Sequence, residues 1–204
     1  MEFLKRLFSS QKSEDKHANT NFIVATINDK VMPIDRGELY EDPLDEFIQT
    51  KGIGSVTGGG TMSLATHEID YCDVEILMKS DKITDEQIEL IITKLEELGA
   101  PKGSKLTIEK TKKTFKFGRK EGLAIYLDGK TLSPEVYKTS DVNVVVSEIQ
   151  QLTGDTSEII RYWEGGEETA LYFYSDSFSK MKEAIAGFVA DYPLCKGARI
   201  ERIA

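Results

Sequence analysis

"TDEQIELIITKLEELGAPKGSKLTIEK" (residues 84–110) decides how the chain is built. Thr84 and Gln87 have the spacing of a capping box, in which each side chain satisfies the other residue's free backbone N–H. Ile88, Ile91, Ile92, Leu95 and Leu98 then recur at helical spacing and form one apolar stripe. Gly99 ends the pattern and Pro101 prevents its resumption. "SKLTIEK" follows as a strand. The end of this stretch has an echo: Lys102-Gly103 recurs as Lys196-Gly197, 94 residues on, again after a long helical pattern and before a short terminal strand.

Working outward from that echo, the two halves share one order. In the first, "NFIVATI" (residues 21–27) is β-rich. Residues 29–40 read as an irregular crossing. "EDPLDEFIQTKG" starts a helix with Asp42 as cap and Pro43 at the first helical position, and Gly52 ends it. Two strand-like runs follow. The second, residues 69–78, alternates, with Cys72, Val74, Ile76 and Met78 on its apolar face. In the second half, residues 122–129 make a strand. Residues 142–152 place Val142, Val145, Ile149 and Leu152 at helical spacing after a capping Asp141, although the valines leave helix and strand both open. "SEIIRYWE" and "ETALYFYS" are strands joined at Gly165-Gly166. An amphipathic helix through Phe178, Met181, Ile185, Phe188 and Val189 precedes the closing strand "ARIERIA". The order is β-α-β-β-α-β twice. The expectation is therefore an α+β protein of two tandem ferredoxin-like (βαββαβ) units with antiparallel sheets, over residues 21–112 and 113–204. Residues 1–20 form an amphipathic N-terminal segment, with Phe3, Leu4, Leu7 and Phe8 at helical spacing, and a polar linker.

"SVTGGGTMSLATHEIDYCDVEI" (residues 55–76) raises the question of an enzyme. A phosphate-binding glycine loop needs a helix directly after the glycines, so that free N–H groups face the anion. Here the next element is a strand, and no Gly-Lys-Ser/Thr follows. Gly58, Gly59 and Gly60 read as a hairpin corner or bulge. His67 is the one base candidate near Cys72. Residues five apart on a strand point to opposite faces, which separates the two. No nucleophile–base pair, cofactor motif or metal-ligand pattern emerges. With Cys72 and Cys195 the only cysteines and His17 and His67 the only histidines, a disulfide framework and a His-rich metal site are both unsupported.

The net charge is −9, which disfavours nucleic acid and anionic membrane as general partners. No run reaches the roughly 18 apolar residues of a membrane span, and the N-terminus lacks a secretory signal's continuous apolar core. The reading is cytoplasmic. Acidic residues concentrate in "DRGELYEDPLDEF": Asp35, Glu38, Glu41, Asp42, Asp45 and Glu46, with Tyr40 and Phe47 among them. The spacing fits no calcium loop. It fits either a solvated helix N-terminus whose dipole favours acids or a docking face for a basic protein, with Glu38, Tyr40, Glu41, Asp42, Asp45 and Glu46 as the binding residues. A basic counterpart, Lys102 to Lys120 with Phe115 and Phe117 interleaved, spans the join between halves and reads as a solvated linker or hairpin. Tyr162, Trp163, Tyr172, Phe173 and Tyr174 are divided by alternation between core and an exposed patch.

The stretches "GGGT", "LEELGAPKGSKL" and "GLAIYLDG", on a compact acidic chain with no catalytic set, resemble the small cytosolic immunity proteins encoded beside bacterial polymorphic toxins. The resemblance covers most of residues 21–204 and implies a non-enzymatic protein that binds and blocks a cognate toxin. It carries over no contact residue. The alternative is a small-molecule sensor or enzyme with a cleft between the units, lined by His67, Tyr71 and Arg161. A scaffold that forms homo-oligomers is the third reading.

Overall fold

The computed structural model describes residues 21–204, so the expected N-terminal amphipathic segment lies outside the described residues. Nine strands and six α-helices follow in order among those residues. The first unit contains β1 (Phe22–Ile27), α1 (Pro33–Arg36), α2 (Asp42–Thr50), β2 (Gly54–Ser63), β3 (Ile69–Met78), α3 (Asp85–Glu97), β4 (Ser104–Ile108) and β5 (Lys113–Phe117). The second contains β6 (Glu121–Asp128), α4 (Pro134–Thr139), α5 (Val142–Thr153), β7 (Arg161–Glu164), β8 (Glu168–Ser175), α6 (Phe178–Asp191) and β9 (Arg199–Arg202).

Both sheets are antiparallel, and both are ferredoxin-like. The first has the order β2-β3-β1-β4-β5 and the second β7-β8-β6-β9. Without β5 the two orders are the same: second strand, third, first, fourth. β5 is the departure from the expected boundary at residue 112. It pairs with β4 from Ser104↔Phe117 to Ile108↔Lys113, so the first unit runs through Phe117. The repeat is also visible in the backbone, since Gly103 (φ 90°) and Gly197 (φ 79°) both hold the left-handed conformation just before a final strand.

The local signals explain most elements. The capping box of Thr84 and Gln87 is formed in both directions at the start of α3. Asp141 accepts from the Asn143 N–H and Gly154 closes α5 in the left-handed region, which settles that segment as helix despite its valines. Cys72 faces the first core with Val74 and Ile76, as the alternation predicts.

Two expectations near the acidic segment are corrected. Asp42 is not a helix cap. The helix begins at Pro33 and continues through a π turn, Gly37–Glu41, into α2, with Asp42 N–H donating to Gly37 O. Pro43 is the physical cause: it has no N–H for the Leu39 carbonyl and its ring crowds that oxygen, which a widened turn relieves. Nor do Gly58–Gly60 form the hairpin corner. They lie inside β2, beside a bulge between Val56 and Gly58, and the corner is the following loop, residues 64–68. Gly59 is needed for close approach. A Cβ there would meet the Asp73 carbonyl at 2.1 Å and the Arg36–Glu41 ion pair at about 3 Å.

Candidate functional site

Strand β7 places side chains on two sides of the second sheet. Arg161 and Trp163 point toward the first unit; Tyr162 and Glu164 point to the helix side.

The side facing the first unit is closed. Ala124, Tyr126, Ala170, Tyr172 and Tyr174 form a buried cluster with Trp163 packed against it. The first unit supplies acids and carbonyls from the ends of β1 and β3. Arg161 donates from Nε to Asp29 Oδ1 (2.8 Å) and from Nη2 to Asp29 Oδ2 (3.1 Å). Tyr40 Oη donates to the same Oδ2 at 2.7 Å. Arg161 Nη1 reaches Ser157 Oγ at 2.9 Å, and the guanidinium lies over the Tyr174 ring. Asp29 is 0% exposed and Arg161 7%. Tyr174 Oη accepts from the Lys30 N–H, while Lys30 Nζ donates to Ile69 O. A second cluster is centred on Glu68, whose Oε1 accepts from Tyr126 Oη (3.0 Å) and Tyr172 Oη (2.8 Å). Trp163 Nε1 donates to Thr66 O, and Asn28 Nδ2 to Ile203 O.

Titration follows from this enclosure. Burial, then the Asp29 charge, holds Tyr40 and Tyr174 well above the ordinary tyrosine value. Burial and the Glu68 hydrogen bond raise Tyr172 and push Tyr126 up to about 12. Burial alone would pull Arg161 down, but the Asp29 carboxylate outweighs it and raises the guanidinium further. Cys72 is raised, by burial first and by Asp29 second, which keeps it a thiol rather than a nucleophile. Burial likewise pushes Cys195 up to about 11.

The residues expected to line a cleft between the units are thus otherwise engaged. Arg161 is consumed by Asp29 and Ser157, and His67 is exposed on its loop with a positive φ of 65°. Tyr71 stands on the face of β3 opposite Cys72. No group of three or more His, Cys, Asp or Glu among the described residues is arranged to hold a metal ion.

The predicted docking segment divides. Tyr40 is 0% exposed and bonded to Asp29, so it is a core anchor and not a contact residue. Its ring is apolar, and burying it fixes the helical segment to the body of the protein. Glu41 is spent on Arg36, Nε to Oε1 at 2.5 Å, and Asp45 accepts from Val56 N–H (2.7 Å) and Gln49 Nε2 (2.5 Å). Phe47 is covered by the ammonium groups of Lys51 and Lys94. Glu38, Asp42 and Glu46 remain: four apart, exposed, and in no ion pair among the described residues. In the basic stretch, Lys102, Lys112, Lys113, Arg119 and Lys120 are each paired with an acid, and Lys105, Lys110 and Lys116 have no acid partner among the described residues.

On the helix side, β7 borders a cavity of about 510 Å³ that the sequence did not signal. Leu127, Val142, Val146, Ile160, Tyr162 and Leu171 give it an apolar lining, with Asp128, Asn143 and Glu164 as its main polar groups. The Asp128 carboxylate is held below its usual range by Thr131, by the backbone of Lys130 and Thr131, and by Tyr137 Oη.

No family model matches the chain, and no curated protein matches it. Among solved structures it is similar to RNA recognition domains 1 and 2 of Sex-lethal from Drosophila melanogaster, at 12% identity over 90% of this chain and 99% of that one, with a TM-score of 0.25. It is also similar to a Lactobacillus acidophilus protein described as a monooxygenase (8%, 91% and 95%, TM-score 0.25). A third likeness is to the first two RRM domains of the yeast poly(U)-binding protein (11%, 89% and 99%, TM-score 0.21). Likenesses this slight carry no argument about function. The fold assignment rests on the repeated strand order.

Proposed function

We propose that the chain is a non-enzymatic protein-binding module that neutralises a cognate toxin by covering a basic surface of it. The observation that supports this is the row Glu38, Asp42 and Glu46, exposed and unpaired among the described residues, on a helical segment whose other side is pinned by Tyr40, Leu44 and Ile48. The backbone that carries these charges is fixed by that packing, so binding orders only their side chains and not the segment itself. Three like charges in a row also steer a basic partner during approach, an effect that salt weakens.

Two further features agree with a protein partner rather than nucleic acid. The tyrosine-rich face of the second sheet, the natural platform for stacking bases, is buried against the first unit. The basic stretch is largely neutralised by its own acids. No helix among the described residues is long and apolar enough to cross a membrane.

The test is a photo-crosslinking amino acid at position 42 of the full chain, expressed in its native cell. One basic protein is expected to be captured, and purified complexes of it with the Glu38→Lys, Asp42→Lys, Glu46→Lys variant should associate at least 10-fold more slowly at low salt. Unchanged association with the reversed charges would remove this face from the account.

A further inference from the structure

The edge of β7 and the cavity beside it form one composite feature. The parity of β7 is fixed by its hairpin. Gly165 N–H donates to Glu168 O at 2.9 Å, and the register continues as Trp163↔Ala170 and Arg161↔Tyr172. In an antiparallel ladder, alternate residues bond to the same neighbour. Gly165, Trp163 and Arg161 therefore spend their backbone groups on β8, and Tyr162 and Glu164 turn theirs outward. The same parity explains why Tyr174 N–H, beyond the end of β7, is met by the Asp155 carboxylate. β7 is the terminal strand of its sheet, so the outward groups of Tyr162 and Glu164 meet no further strand among the described residues. Short edge strands are a common defence against unwanted pairing. This one differs because the side chains of Tyr162 and Glu164, with Ile160 before them, stand directly over the apolar cavity walled by Val142 and Val146 of α5.

We infer that this cleft between β7 and α5 receives an extended peptide segment of a partner, which adds as a strand along β7 and places an apolar side chain in the cavity. Strand addition obtains affinity from main-chain hydrogen bonds and selectivity from pockets under alternate side chains. Both components are in place: outward rungs at Tyr162 and Glu164, and one cavity whose volume accommodates a large side chain. Charge specifies the rest. The lining includes no Lys or Arg, and its acids Asp128 and Glu164 favour a segment with cationic residues two positions from the inserted apolar one, on the same side of the strand. This site is on the second unit and does not depend on the acidic row of the first. Its failure would leave that row untouched, and the reverse.

The probe is the hexapeptide acetyl-Thr-Lys-Thr-Leu-Thr-Lys-amide, titrated to millimolar concentration against the 15N-labelled full chain. Saturable shifts are expected at the amides of Tyr162, Glu164, Val146 and Leu171. N-methylation of the peptide's alternate, pairing amides should weaken binding at least 10-fold. Tyr162→Pro removes one outward N–H and keeps the β8-facing bonds, and it should abolish binding. Tyr162→Ala keeps the N–H and should lose less than the proline variant. Absence of saturable shifts, equal binding of the N-methylated peptide, or equal effects of the proline and alanine variants would overturn the proposal. So would n-octylammonium producing the same shifts at the same affinity, because the cavity would then be a small-molecule site that needs no strand.

Discussion

Arg161 and Tyr162 are adjacent in sequence, yet Arg161 is 7% exposed with each guanidinium nitrogen bonded, and Tyr162 is 45% exposed at the mouth of an apolar cavity. The two-residue period of a strand separates them completely. A repeated fold specialises by this separation. In the second sheet the inner residues hold the two units together, and the edge keeps polar backbone and apolar volume uncommitted. Rigidity on one side is what allows openness on the other, because a cleft between a strand and a helix keeps its shape only if the strand is fixed.

The largest effect should come from breaking the closed side. Arg161→Ala leaves Asp29 buried without its partner, at a cost of about 3–5 kcal/mol, measured by urea denaturation. The triple variant Asp29→Leu, Tyr40→Phe, Arg161→Met removes both charges and the hydroxyl that bonds to Asp29, and should recover most of that loss. A single variant as stable as the wild type would mean that the two units are held by something else.

The next effect is set by pH. Tyr126 is pushed up to about 12 by burial and by Glu68. Its folded value lies above the ordinary value of about 10, so it contributes stability that is fully present below pH ~10 and disappears as pH rises toward about 12. Tyr172, raised by the same causes, acts in the same direction. Alkaline unfolding followed together with tyrosinate absorbance should show these rings ionising only as the junction opens. Glu68→Ala should cost about 1–3 kcal/mol at neutral pH by leaving two buried hydroxyls unbonded.

Gly59→Ala should cost about 1–3 kcal/mol by thermal or urea unfolding, because its Cβ would press on the Asp73 carbonyl and displace the Arg36–Glu41 pair. The smallest effect belongs to the open side. Tyr162→Ala and Ile160→Ser should change stability by no more than about 0.5 kcal/mol while altering the cleft. A large stability loss there would show that the cleft wall is structural.

Much of the architecture was legible from local signals. The capping box at Thr84, the Asp141 cap and the Lys-Gly echo at 102 and 196 each state their structure in a few residues. The π turn was not legible, because it results from a proline disturbing a helix whose start at Pro33 read as irregular chain. β5 was half legible: the stretch with Lys113 and Lys116 read as a solvated linker or a hairpin, and it is the hairpin, pairing with β4 at an edge where lysines stay in solvent. The junction was hidden for a different reason. Asp29 and Arg161 are 132 residues apart, and nothing local announces that a lone acid after an apolar strand will meet a distant arginine. Tyr40, which read as a surface anchor among acids, is held instead by Asp29, 11 residues before it, because the helical segment turns its ring into the core. Of the candidate docking row, Glu38, Asp42 and Glu46 are exposed, and Glu41 and Asp45 are occupied internally.

The division of β7 is tested most directly by amide hydrogen exchange on the full chain. The account predicts that the Arg161 and Trp163 amides exchange only with global unfolding, while those of Tyr162 and Glu164 exchange orders of magnitude faster. Equal protection of all four amides would contradict it, since the outer rungs would then already be paired and the cleft closed.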